Sequence, residues 1–456
     1  MKNTTKRAYV LFAVLIAFFV GFTILIYTFI MNGSDWATNK ANRHLYSDGS
    51  ISAAGSIYDC NGEILAQTVD GNRRYNESSS VRKATLHTIG DLNGFIATGV
   101  QYTYRHTLTG YDFINGISSI VQYGKGNDIH LTIDSDVCEV AYKALNGRKG
   151  AVGVYNYKTG KIICMVSAPT YDPKNKPSDI DTNEKYEGVY LNRVLSGLYT
   201  PGSTFKVITA ASAIENIPDI YQREFKCTGK YDTGDGTVIC NSTHGTVNFE
   251  EALNKSCNSA FAQIAIELGS EKLTLTAQEL GFNTDVTVDG IASPETSIFD
   301  VSKATKVDLG WAGIGQYITL ANPYQMMMVM GCIANSGVTV EPYVVDYIQS
   351  PKLIRDITQP QTSEEITLTS DVANKLKTLL RSNVKNYYGD KKFPGLEMCG
   401  KTGTAQIDDG EPHSWFVGFS QNSSTPYAIV AVVENGGSGL SAAGNVANKV
   451  MQAICN

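Results

Sequence analysis

The 456-residue chain has no basic run and no patch of lysine or arginine interleaved with aromatics. Its 38 basic residues are outnumbered by 44 acidic ones, for a net charge of −6, and both signs are spread along the chain. That distribution offers no positive footprint for a phosphate backbone, so nucleic acid is not an expected partner. Internal repeats and low-complexity tracts are missing too, which sets aside solenoids and linker-like chains. The nine cysteines lack the tight spacing of a disulfide framework. Cys138, Cys164 and Cys332 sit in apolar runs and read as small buried hydrophobes. Cys227 and Cys240 flank a Gly-rich turn and could pair. Cys240, His244 and Cys257 are near one another in sequence, but their spacing matches no structural zinc pattern. The expectation is therefore no metal and no cofactor.

Charge is also missing from one long stretch, between Arg7 and Asp35. Residues 8–31 (AYVLFAVLIAFFVGFTILIYTFIM) would form a helix about 36 Å long, enough to cross a hydrocarbon core of about 30 Å. No A-x-A cleavage site follows, and the stretch exceeds a signal h-region, so an uncleaved anchor is expected. Lys2, Lys6 and Arg7 precede it and Asp35 follows. The positive-inside rule then puts residues 1–7 in the cytoplasm and the rest outside, on a single-pass plasma-membrane protein.

Beyond the anchor, residues 32–128 read as a juxtamembrane stalk and a small β-rich, non-catalytic domain. Within it, the run around Asp59-Cys60-Asn61-Gly62 reads as a hairpin turning at Asn61-Gly62. From 129 to 456 the patterning is that of a second domain. A strand near Ile129 leads into a helix from Val137 to Leu145, then two β-rich runs, Gly150–Tyr157 and Lys161–Ser167. The span from Ser203 to about Ser336 is mostly helical in period. Three strands and an amphipathic helix close the chain. The expected fold class is α+β: a five-stranded antiparallel sheet flanked by helices, with an all-helical lobe.

Three short elements carry the chemistry. Ser203 and Lys206 stand in Pro201-Gly202-Ser203-Thr204-Phe205-Lys206, where a turn should hand over to a helix. Three residues apart, they share a helix face. A serine needs an adjacent base to be a good nucleophile, and a desolvated lysine beside a second cation can be that base. The bland alternative is a capping serine and a solvated lysine. Ser256-Cys257-Asn258 follows, with two polar side chains able to face one cleft, or simply to cap the next helix. Lys401-Thr402-Gly403-Thr404-Ala405 sits on an expected strand, whose alternation separates Lys401 and Gly403 from Thr402 and Thr404. An edge strand with local twist is needed for all to serve one ligand, and Gly403 suggests close backbone approach of that ligand. Decoys exist. Ser80-Val81-Arg82-Lys83 and Ser382-Asn383-Val384-Lys385 repeat the first spacing, Ser420-Gln421-Asn422 the second and Lys158-Thr159-Gly160 the third. Only the set at 203, 256 and 401 has the right order with domain-scale gaps.

That ordered set, S-x-x-K, S-x-N and K-T-G, is the signature of serine enzymes acylated by penicillin. The region from about Ile129 onward resembles the transpeptidase domain of class B penicillin-binding proteins. The likeness extends to Asn192-Arg193, Gly197–Thr200, Gly313-Ile314-Gly315-Gln316, Thr319–Met326, His413–Phe419 and Glu434-Asn435-Gly436-Gly437. The resemblance implies Ser203 as acylated nucleophile and Lys206 as its base, with Ser256, Asn258 and Lys401 organising proton transfer. Thr402, Gly403 and Thr404 would bind the substrate, and the backbone N–H groups of Ser203 and Thr404 would form the oxyanion hole. The implied substrates are peptidoglycan stem peptides, with β-lactams as covalent mimics. One departure is Ala54, where the family usually has an arginine before Gly-x-Ile-x-Asp. With no glycosyltransferase domain evident, a separate polymerase and morphogenetic proteins are the implied partners. A D,D-carboxypeptidase would use the same residues with water as acceptor. A β-lactamase would need a deacylating glutamate loop, and none is evident. A β-lactam sensor would need more than seven residues before the anchor, and a silent scaffold would not need an intact motif set.

Overall fold

The computed structural model describes residues 2–37, 46–47, 50–51, 54–111, 125–286, 288, 290–350, 354–355, 357–407 and 410–455. Most of the stalk expected between 32 and 54 lies outside them. The chain opens with α1 (Lys2–Ala37), whose segment Thr5–Gly33 is long and apolar enough to cross a membrane and has none of its side chains packed inside the protein. Exposed phenylalanines, leucines and isoleucines on every side of a helix are stable only in an apolar surround.

Next come β1 (Ile57–Tyr58), β2 (Ile64–Val69) and β3 (Asn72–Tyr75), with the expected turn at Gly62, and then α2 (Ser79–Ile89). β4 (Asp128–Leu131) leads into α3 (Ser135–Leu145), capped by the Asp134 carboxylate. Two strands, β5 (Gly150–Asn156) and β6 (Ile162–Ala168), are joined by the Lys158-Thr159-Gly160 turn, where Gly160 has a positive φ. This K-T-G is therefore a hairpin corner. α4 (Lys206–Asn216) follows the segment that holds Ser203.

Between α4 and the next long helix the expected helical pattern gives way to a hairpin nested inside a second antiparallel pair. β7 (Glu224–Cys227) pairs with β10 (Gly245–Asn248), and β8 (Lys230–Asp232) pairs with β9 (Thr237–Ile239). Strands of three or four residues leave too few alternations to be read from sequence. α5 (Asn258–Glu279) is broken at Gly269, which has non-helical φ and ψ. α6 (Pro323–Ala334) is buried along its whole length.

The sheet that carries the site runs β13–β14–β15–β5–β6, all antiparallel, with β13 (Met398–Ala405), β14 (His413–Ser420) and β15 (Tyr427–Val433). α6 packs on one face; α3 and the C-terminal helix α7 (Asn445–Cys455) pack on the other. Both faces covered explains why β15 is apolar almost throughout. This is the expected α+β layering, and β13 is the edge strand. A six-stranded sheet also forms, in which β4 pairs with β1 in parallel and with Val345–Gln349 antiparallel. The expected 128/129 division thus falls at the first residues of a strand that ties the two segments together.

Candidate active site

Three separate elements converge on one lysine amine. Ser203 lies in a 3-10 turn, Gly202–Thr204, that runs into α4. Gly202 has φ +53°, and a Cβ there would meet the Thr404 carbonyl oxygen and Ala405 Cα at 3.1 Å. A Cβ on Gly403 would lie 2.7 Å from the Pro201 carbonyl oxygen. Both glycines therefore let the Ser203 turn press against edge strand β13. At Gly403 the close neighbour is this turn.

Lys206 opens α4 and is fully buried. Its Nζ lies 3.1 Å from Ser203 Oγ, 3.1 Å from Ser256 Oγ, 2.7 Å from the Ser256 carbonyl and 2.7 Å from Asn258 Oδ1. Burial, and after it the Lys401 charge, holds this amine well below the usual lysine value. Ser256 sits on a left-handed bend, φ +54°, with its N–H on the Leu253 carbonyl. A non-glycine residue held there is strained, and such strain collects at functional sites. Asn258 begins α5, and Cys257, not Ser256, caps that helix by accepting the Ala260 N–H. The capping alternative for Ser256 is thereby removed.

Lys401 extends from β13 inward, 1% exposed, with Nζ 3.0 Å from Ser256 Oγ. Burial alone lowers it to about 7. Ser203, Lys206, Ser256 and Lys401 thus form one unbroken hydrogen-bonded chain. Thr402 and Thr404 point the other way, into a cleft of about 820 Å³ that Ser203, Ser256 and Asn258 also line. Alternation along β13 accordingly gives the lysine to the proton chain and the threonines to the cleft. The decoys stay apart: the S-x-x-K at Ser80 is in α2, that at Ser382 ends the helix Ser370–Ser382, and Ser420 ends β14.

Sequence reasoning missed Tyr388. Its buried hydroxyl accepts the Thr402 N–H at 3.0 Å and lies 2.8 Å from Thr402 Oγ1, so it fixes the rim of the cleft. No motif marks a tyrosine in that segment. The flanking likenesses turn out to anchor the approach to Ser203. Glu434 accepts from Arg193 Nε at 2.7 Å and Tyr199 Oη at 2.8 Å, while Asn322 Nδ2 donates to the Leu195 and Gly197 carbonyls. Cys227 and Cys240, considered as a pair, are both free thiols. They stand with His244 and Cys257 in one cluster behind the Ser256 bend.

Comparison with known proteins agrees with this geometry. The profile of the penicillin binding protein transpeptidase domain matches residues 150–452. Peptidoglycan D,D-transpeptidase PbpA of Mycolicibacterium smegmatis is 28% identical, over 97% of this chain and 96% of its own. Among solved structures, the D,D-transpeptidase domain of a peptidoglycan glycosyltransferase from Eggerthella lenta is 28% identical with a TM-score of 0.76, covering 88% of this chain and 98% of that one. The imipenem acyl-enzyme of penicillin-binding protein A from M. tuberculosis is 25% identical with a TM-score of 0.79, covering 89% and 99%. The chain belongs to the penicillin-binding protein transpeptidase family, in its class B branch.

Proposed function

We propose that the protein is a membrane-anchored peptidoglycan D,D-transpeptidase whose nucleophile is Ser203. The convergence of Lys206 Nζ on Ser203, Ser256 and Asn258 at 2.7–3.1 Å is the observation that carries the assignment. With its affinity for a proton lowered by burial, Lys206 takes the Ser203 hydroxyl proton as Oγ attacks the carbonyl carbon between the two terminal D-alanines. The backbone N–H groups of Ser203 and Thr404 receive the oxyanion. Collapse breaks the C–N bond. The departing D-alanine nitrogen takes a proton from Lys206 through the Ser256 hydroxyl, which Lys401 orients. An amine from a neighbouring stem then attacks the ester, loses a proton back along the same chain, and leaves a cross-link with Ser203 restored.

Thr402 and Thr404 face the cleft and suit the terminal carboxylate, with Gly403 giving β13 room beside the nucleophile. The free edge of β13 can take an extended stem peptide as an added strand. A β-lactam is opened by the same attack, but its leaving nitrogen stays tethered and blocks the acceptor. Residues 129–456 are the catalytic unit in this reading, and 32–128 hold it off the membrane. Lys2, Lys6 and Arg7 keep the N-terminus in the cytoplasm. A separate glycosyltransferase and morphogenetic proteins supply the glycan strands and the location.

Intact-mass measurement of the full chain in detergent after penicillin exposure tests the site. One adduct per chain, absent in Ser203→Ala, is expected. Labelling that survives Ser203→Ala would refute the assignment. Product analysis with a stem pentapeptide and an acceptor amine should show the amide-linked dimer; free tetrapeptide alone would make the enzyme a carboxypeptidase. Protease protection that finds the C-terminus in the cytoplasm would overturn the topology.

A further inference from the structure

Four soft ligand groups meet beside the catalytic bend, and no step of acyl transfer uses them. Cys227 ends β7, Cys240 follows β9, His244 precedes β10 and Cys257 caps α5. One ligand atom of each lies within 4.8 Å of the other three. We propose that Cys227, Cys240, His244 and Cys257 bind a structural zinc ion that holds the Ser256–Asn258 bend in place.

Distances separate this reading from a disulfide and from a chance cluster. A tetrahedral site with Zn–S of about 2.3 Å and Zn–N of about 2.0–2.1 Å has S···S edges of about 3.8 Å and S···N edges of about 3.6 Å. Here Cys240 Sγ and Cys257 Sγ are 3.9 Å apart. His244 Nδ1 is 3.6 Å from Cys227 Sγ and 3.5 Å from Cys240 Sγ. A disulfide would need sulfurs at about 2.05 Å, whereas these four ligand atoms cluster within 4.8 Å of one another.

The surroundings suit thiolates. Cys240 Sγ accepts the Asn258 N–H at 3.2 Å, and Cys257 Sγ accepts the Ala260 N–H at 3.4 Å. Ser259 Oγ lies 3.5 Å from Cys227 Sγ. Such outer hydrogen bonds orient metal ligands and stabilise their charge. Three thiolates and one imidazole, with no carboxylate, select zinc over magnesium or calcium. The three cysteines are buried and His244 is partly exposed, which leaves a side for entry. Four protein ligands close the coordination shell, so the ion is structural and has no position for substrate.

The local fold explains the need. Residues 224–248 are a hairpin of three-residue strands nested inside a pair of four-residue strands, and such small units commonly require a metal or a cross-link. The ion would fasten their ends to the start of α5. Asn258 is gripped from the same place: its Nδ2 donates to the Ile239 carbonyl at 3.0 Å, next to Cys240. Metal binding therefore reaches Lys206 through Asn258 Oδ1 and the Ser256 carbonyl. This revises the expectation of a metal-free chain. The spacing Cys-x12-Cys-x3-His-x12-Cys hid the site because three of its ligands come from the ends of paired strands and the fourth from a helix cap.

Elemental analysis and native mass spectrometry of the full chain in detergent should find one zinc per molecule. Cys240→Ser and His244→Ala should each lose it. Cobalt(II) reconstitution should give sulfur-to-metal charge-transfer bands in the parent and not in Cys257→Ser. Stripping zinc with a chelator should slow penicillin acylation about 10-fold or more, with recovery on adding zinc back. The metal count does not depend on the acyl-transfer reading, so either can fail alone. A parent chain that retains no stoichiometric zinc from a zinc-containing buffer would overturn the proposal. So would peptide mapping that finds Cys227 joined to Cys240, or zinc retained by both Cys240→Ser and His244→Ala.

Discussion

Two buried lysines define the chemistry at the residue scale, and each predicts a pH response. Lys206 is held below the usual lysine value first by burial and second by Lys401. Protonation silences it as a base, so penicillin acylation should fall as pH drops through its value. Replacing Lys401 by methionine removes the second cause and raises the Lys206 value. The acid limb of the acylation profile should then move to higher pH, with the maximal rate down about 100-fold or more from loss of the proton chain. In Lys401→Met, stability should rise while the rate falls. Lys401 folds at about 7 against about 10.4 unfolded, so between those values the unfolded chain binds more protons, and stability rises with pH across that window. Lys401→Met avoids burying the charge and should gain about 1–4 kcal/mol in urea denaturation at pH 7. A profile that stays in place, or a less stable variant, would contradict the electrostatic account. Ser203, Lys206, Ser256, Asn258 and Lys401 were legible in sequence because their types and order are unusual together. Their division of labour along β13 was legible only as alternation.

Elements were legible where they are long and patterned. The five strands of the sheet that carries the site are runs of seven or eight mostly buried residues, α3 is an amphipathic stretch of 11, and the structure has them where expected. What was not legible is non-local. The pairing of β4 with Val345–Gln349 depends on segments far apart in the chain, and the strands paired within 224–248 are only three or four residues long. Tyr388 belongs to the same class: its value comes from lying beside Thr402, which no local pattern announces. Tyr388→Phe leaves the Thr402 N–H and hydroxyl without this partner. An unmet polar group of that kind costs about 1–3 kcal/mol, so penicillin acylation should slow roughly 10-fold, while Ser203 remains the labelled residue. An unchanged acylation rate constant in stopped-flow measurement would show that the rim of the cleft is held by β13 alone.

Across the whole molecule, the segment before the catalytic sheet is joined to it by a buried ion pair. Arg82 of α2 meets Asp172 after β6 in a two-pronged contact, Nε to Oδ1 at 2.7 Å and Nη2 to Oδ2 at 2.7 Å, with both side chains under 10% exposed. Arg82 Nη1 also donates to the Asn76 and Glu77 carbonyls, so the guanidinium closes a network. Removing one partner strands the other charge away from water, which costs about 3–5 kcal/mol. Asp172→Asn should therefore lower unfolding stability by that order without displacing the Ser203 cleft, which lies on other elements. The Arg82 hydrogen bonds hold the Asp172 carboxylate well below the usual range. Its contribution is then fully present above about pH 4, the unfolded carboxylate value, and is lost as pH falls further toward the folded value. In the parent, urea midpoints should drop steeply below about pH 4, and Asp172→Asn should flatten that drop. Equal pH slopes in parent and variant would mean that the two segments are held together by apolar packing, with this pair contributing little.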